Sequence, residues 1–383
     1  MGTLVREAVK PSRVLSLDIV RGITIAFMIL VNDNGSEKDA YAQLKHAAWN
    51  GWTLTDLVFP SFLFMVGIAV VYSIEARLAK GETRRALLLH TVQRAVVLFC
   101  FGLIVNAFPH FHLATWRIYG VLQRISICYL VVSALYLYSR RVASFVALVA
   151  VALVGYYVIM RWIPVPGYGM PTRDVPLLDM DKNWVAYIDR ALMPAARLYQ
   201  KVRDPEGLLS TLPALGTAGL GVLTGLWLRS PRSGMVKAGG LLGGAVVGIA
   251  TGELWNLWFP INKKMWTSSY VLFAAGCTLF LLALCYFIFD VKKARKEWGY
   301  PWLVFGSNAI TAYMISELMA GALGAIHLTC HGAMTNLQRC IYQSAFQGVG
   351  SPAVGSLLYS LAYVAMCFIP NLVLYRKKIF LKV

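Results

Sequence analysis

The sequence predicts an all-α polytopic membrane protein, and three observations predict it. The 383 residues are 58% hydrophobic and only 14% charged, less charge than a soluble domain of this length carries. Apolar runs of about 20 residues recur along the chain, the length at which a helix crosses a hydrocarbon core. Basic residues gather between those runs, as membrane topology demands. In a soluble protein the net charge of +18 would point to nucleic acid. Distributed in this way it reads as topology and attraction to anionic lipid, and no nucleic-acid partner is expected.

Ten spans follow in order: 15–33, 54–75, 87–106, 118–138, 142–163, 208–228, 236–255, 267–289, 301–326 and 353–375. Each is expected as a helix, because lipid cannot satisfy open backbone groups. The first follows the short basic stretch MGTLVREAVKPSR and lacks a small-residue cleavage site, so it reads as a retained span. The fifth and seventh are rich in Ala, Val and Gly, and GGLLGGAVVGIATG in the seventh lets neighbouring backbones approach closely. In the ninth, Asn308 and Glu317 are nine residues apart and face opposite ways unless that helix is broken. The whole chain, 1–383, reads as a single membrane domain with loop 164–207 as an extramembrane cap. Within that loop, DKNWVAYIDRALMPAARLY has the pattern of a short amphipathic helix.

Ten spans place both termini on one side. Of the Lys and Arg residues, 20 fall in segments on the side of the termini, 12 in the opposite segments, and Arg21, Arg94, Arg124 and Arg161 within spans. The bias puts both termini in the cytoplasm and loops 34–53 and 164–207 outside. Five of the seven cysteines lie in spans and read as apolar packers. Cys330 and Cys340 share one outer loop, which makes them a candidate disulfide pair. No spacing resembles a metal site.

Ionisable groups within spans are costly and mark candidate function. Asp18, Arg21 and Asn32 share one stripe of the first span, running roughly 20 Å from the cytoplasmic to the outer end. The plainer reading is an Asp18–Arg21 pair joining helices; the sharper one is a passage or elongated pocket. Arg124 sits two turns into the fourth span and needs a partner. His46 lies in the first outer loop, followed by Trp49, Asn50, Gly51 and Trp52, then by Asp56 and Pro60 at the start of the second span. A histidine held at the rim is well placed as a general base for a substrate arriving from outside. Asp56 would orient the imidazole or shape the helix start. His110 and His112 follow no such pattern.

Five stretches in this order, SLDIVRGITIAFMILVN, HAAWNGWTLTDLVFPSFLFMVG, RIYGVLQRISICYLVV, FPINKKMWTSSYVLFAAG and FGSNAITAYMISE, resemble the heparan-α-glucosaminide N-acetyltransferase family. The resemblance spans residues 13 to about 320. It implies a transmembrane enzyme that passes acetyl from cytosolic acetyl-CoA to the amine of a terminal glucosamine on the far side. His46, in H-x-x-W-N-G, corresponds to the catalytic histidine and Asn32 to the catalytic asparagine. The longer gap between them leaves Asn34 as the alternative equivalent. The resemblance also implies a bacterial-type member without the N-terminal luminal domain, in a bacterial inner membrane, with a homodimer as a candidate assembly. Arg13, Arg21 and Arg94 are then expected to hold the anionic CoA, with Asp18, Asp56 and Arg124 in support. No metal is expected. The rival reading is an amino-sugar transporter, to which a polar stripe, a Gly-rich span and a broken ninth helix would also suit.

Overall fold

The computed structural model describes residues 14–380; the expectation for Arg13 falls outside them. The chain is built from α1 (Leu15–Asn32), α2 (Val58–Leu78), α3 (Arg84–Ala107), α4 (Val121–Tyr138), α5 (Val142–Trp162), α6 (Trp184–Leu192), α7 (Thr211–Leu228), α8 (Gly234–Asn256), α9 (Ser268–Cys285), α10 (Tyr300–Ser307), α11 (Ala309–Ala325), α12 (Leu337–Ala345) and α13 (Pro352–Arg376). Among the described residues nine helices are long and apolar enough to span a membrane, and α10 with α11 make a tenth apolar unit of that length, bent by 70°. The ninth predicted span is therefore broken, and the break falls at Asn308, whose side-chain amide donates to the Ile379 carbonyl.

Alternation of the spans gathers connections 33–57, 108–120, 163–210, 257–267 and 326–351 at one end, and short basic turns at the other. The bundle is layered. In α2, 72% of the most apolar stretch is buried, against 17% in α8, 22% in α3 and α5 and 28% in α13, so α1, α2, α4, α7 and α9 form the centre and α3, α5, α8 and α13 lie around it.

Close packing at the centre depends on absent side chains. A Cβ on Gly67 of α2 would lie 2.1 Å from the Ala218 carbonyl oxygen of α7, and one on Gly306 of α10 would lie 1.9 Å from that of Asp18 in α1. Neither helix pair could keep its separation with a larger residue. In α8 only part of the glycine pattern is used this way: Gly248 and Gly252 meet α9 backbone, whereas Gly239 and Gly243 face open space. The start of α1 is held by Asp290, which follows α9 and accepts the N–H groups of Leu15 and Ser16 at 2.9 and 3.0 Å, a carboxylate where the helix dipole favours one.

Two boundaries differ from the sequence reading. A 3-10 turn, Leu54–Leu57, precedes α2, and α4 begins at Val121 because residues 118–120 are not helical. Arg124 therefore lies in the first turn of α4 rather than two turns deep. Loop 327–352 also folds further than expected. Strands β1 (His327–Cys330) and β2 (Ala333–Asn336) pair antiparallel around a turn with His331 and Gly332 at positive φ, and Cys330–Cys340 form the anticipated disulfide, tying β1 to α12.

Candidate active site

The site starts from the turn before α2. Thr53 caps it, and Asp56, at the third position, reaches back so that its Oδ2 accepts the Thr53 N–H at 3.0 Å and the Thr53 hydroxyl at 3.1 Å. This is the reciprocal capping that a Thr-x-x-acid spacing permits. The same Oδ2 accepts the Ala47 N–H at 3.0 Å, and Oδ1 takes His46 Nδ1 at 2.8 Å. Asp56 is 1% exposed, and the Tyr270 hydroxyl donates to its carbonyl. One buried carboxylate thus caps the helix start and hydrogen-bonds the imidazole. An ionised carboxylate only accepts, so Nδ1 carries the ring proton and Nε2 the lone pair. The His46 side chain is 43% exposed and open to a substrate.

The loop that carries His46 is pinned on two sides. Gly51 N–H donates to the Ile261 carbonyl at 2.8 Å, Asn262 Nδ2 to Asn50 Oδ1 at 3.1 Å, and Lys264 Nζ to the Ala48 carbonyl at 2.8 Å. From segment 164–207, Leu178 accepts the Trp49 indole N–H at 2.8 Å, and the Arg203 guanidinium lies 4.8 Å over the Trp49 ring. That segment is itself anchored by Arg117, whose Nε donates to Asp204 at 2.7 Å. Arg124, 1% exposed, donates to the carbonyls of Pro205 and Gly207 and stacks 4.9 Å over Trp266. Its partners are backbone oxygens of the long segment and the Ser210 hydroxyl at that segment's end, so it fastens the segment to the bundle. In the same segment Asp189 is fully buried, and burial pushes its carboxyl up to about 7.

Sequence reasoning missed Lys263. Its Nζ lies 3.0 Å from His46 Nδ1, 3.3 Å from Nε2 and 3.7 Å from Asp56 Oδ1. Burial holds its ammonium below the usual lysine range, against the opposing pull of Asp56. The available signal was the Lys–Lys pair in a short connection on the side that charge bias leaves poor in cations.

The remaining predicted residues lie along α1. Asn32 is exposed at the end of α1 and lies near Glu317 of α11. Asn34 is turned back, donating to the Val31 carbonyl at 3.0 Å and accepting from Ser360 at 3.4 Å. Burial, then Glu317, push the Asp33 carboxyl up to about 8. Among the described residues no hydrogen bond joins Asn32 to His46, although α1 packs against the 54–57 turn. Further along, Arg21 Nη1 contacts Asp18 Oδ1 at 3.2 Å and donates to the Gly306 carbonyl at 3.2 Å, linking α1 to α10. The stripe is not polar throughout. Its middle positions, Ile25 and Met28, line a small apolar pocket with Phe59, Phe62, Ile125 and Tyr313. The continuous polar passage is thereby corrected to two polar ends separated by an apolar stretch. Arg94 lies ten residues into α3, about 15 Å along its axis, rather than at its end. Its guanidinium is 5.1 Å over Tyr129, and its Nε is buried without a hydrogen-bond partner among the described residues. His110 and His112 stack on each other at 5.8 Å.

These features define a class: a polytopic α-helical membrane protein with a carboxylate-oriented histidine at one rim of its bundle. A family model described as heparan-alpha-glucosaminide N-acetyltransferase, catalytic, matches residues 13–194. The chain is 30% identical over 368 residues to the human protein named heparan-alpha-glucosaminide N-acetyltransferase, covering 82% of this chain and 54% of that one. It is 29% identical over 360 residues to the mouse protein of the same name, covering 80% and 54%. It spans about half the length of these curated relatives. The chain belongs to the heparan-α-glucosaminide N-acetyltransferase family.

Proposed function

We propose that this chain is a transmembrane N-acetyltransferase that moves acetyl from cytosolic acetyl-CoA to the amine of a glucosamine-type sugar on the opposite side. The observation that carries this reading is the His46–Asp56 pair at 2.8 Å, with an exposed ring at the long-loop end of the bundle. Family membership supports the reaction class, and the basic short turns support placing the other end in the cytosol.

His46 Nε2 takes a proton from the acceptor's ammonium group, leaving an amine that attacks the thioester carbonyl. A C–N bond forms, the C–S bond breaks, and the amine's remaining excess proton passes to the sulfur, so CoA leaves as the thiol. Asn32, exposed at the end of α1, donates to the oxyanion. The donor substrate supplies the activated acetyl group. Arg94, whose Nε is buried without a hydrogen-bond partner among the described residues, offers a cationic donor for its phosphates, whereas Arg21 is committed to Asp18 and the Gly306 carbonyl. The apolar section lined by Ile25 and Met28 would exclude phosphates.

The transporter reading has one feature in its favour, the break at Asn308. Proteoliposomes given labelled acetyl-CoA on one face and a panel of amino sugars on the other separate the two. The enzyme produces labelled N-acetyl sugar on the face opposite the donor. Unmodified glucosamine crossing the bilayer, with no acetylation, would replace the enzyme by the transporter.

A further inference from the structure

We infer that Lys263 is a positioning residue that keeps His46 available as a base by claiming the charge of Asp56. The inference rests on the transferase reading for its purpose, but its geometry stands alone. Three groups converge: the Asp56 carboxylate, the His46 imidazole and the Lys263 ammonium, with separations of 2.8, 3.0 and 3.7 Å. A single buried carboxylate balances one positive charge. With Lys263 protonated the cluster is neutral only if the imidazole is neutral, so a proton arriving on Nε2 creates an unmatched cation about 3 Å from an ammonium. In a histidine–carboxylate pair alone, the carboxylate would instead favour the imidazolium. Lys263 offsets that tendency while leaving the orienting hydrogen bond intact.

The surroundings set the sign. Asp56 comes from the 54–57 turn and Lys264 from the same connection as Lys263. Glu206 and Arg203 come from segment 164–207, and Glu37 from the loop that carries His46. Glu206 acts on Lys263, and Arg203 and Glu37 on Lys264. Of these, Asp56 and Lys263 are the ones within 4 Å of the ring or its carboxylate. When the acceptor gives up its proton, the unmatched charge on His46 favours rapid onward release, so the base is restored for the next turnover.

Diethyl pyrocarbonate, which acylates only unprotonated imidazole, reads the ring directly. Peptide mass spectrometry of the intact membrane protein at pH 6 then gives a rate for His46. In Lys263→Met and Lys263→Gln that rate should fall about tenfold, equivalent to about 1.4 kcal/mol, with Lys263→Arg close to wild type. The pH profile of acetyl transfer to glucosamine should move to higher pH in the two neutral variants and stay in place in Lys263→Arg. Equal His46 reactivity in wild type and Lys263→Met would overturn the assignment. So would neutral variants that lose activity uniformly at every pH, or that fail to fold. If the wild type transfers no acetyl to any amino sugar, the reaction class fails, yet His46 reactivity still tests Lys263.

Discussion

The two ends of α1 use charge differently. At the short-loop end, Asp18 and Arg21 meet within one helix, and Arg21 reaches the Gly306 carbonyl of α10; charge there joins helices whose backbones touch through glycine. At the long-loop end, Asp56 gathers a histidine, two backbone N–H groups and a hydroxyl and leaves the imidazole half-open. A paired charge buried among helices contributes mainly to assembly. A paired charge that presents a half-exposed ring to water is placed for chemistry. The site is therefore defined less by the presence of buried charge than by what its satisfied partners leave free.

That contrast can be broken at several points. The largest effect is expected at the rim: His46→Ala should reduce turnover by about 10²–10⁴-fold with acetyl-CoA binding nearly intact. Asn32→Ala should cost about 10²–10³-fold in kcat, the usual effect of losing one oxyanion donor. His110→Ala is the control and should stay close to wild type. A dead His110→Ala beside a normal His46→Ala would move the base to the wrong loop. Next comes Arg94→Ala, which should raise KM for acetyl-CoA by about 10–100-fold, the equivalent of losing a charge-assisted hydrogen bond, with KM for the sugar unchanged. Equal loss for both substrates would make Arg94 another helix-joining charge like Arg21.

The smallest effect sharpens the comparison through pH. The Asp189 carboxyl is raised from 3.8 to about 7 by burial, so the folded state keeps a proton that the unfolded chain releases near pH 4. Its contribution to stability is complete below about 4 and is lost as pH rises through about 7. Asp189→Asn should flatten the fall of thermal stability between those values in a melting series. An unchanged slope would place the titration elsewhere.

Much of this was legible because membrane constraints are severe. Ten apolar runs of bilayer length leave little freedom, and the ten crossings fall within a few residues of their predicted bounds. The pairing of His46 with Asp56 was readable because both lie within ten residues at a helix start. The Cys330–Cys340 bridge was readable for the same local reason. Lys263 was not, since 217 positions separate it from His46 and only packing of the 257–267 connection brings it there. The role of Arg124 was obscured by a helix start three residues later than expected. The apolar middle of the α1 stripe was written in Ile25 and Met28, at helical spacing from Arg21, but attention to the polar positions hid it.

The shared duty of Asp56 has a consequence for folding. The carboxylate that holds the imidazole is also the one that caps the start of α2, so a chain whose second helix starts correctly has already set the His46 ring.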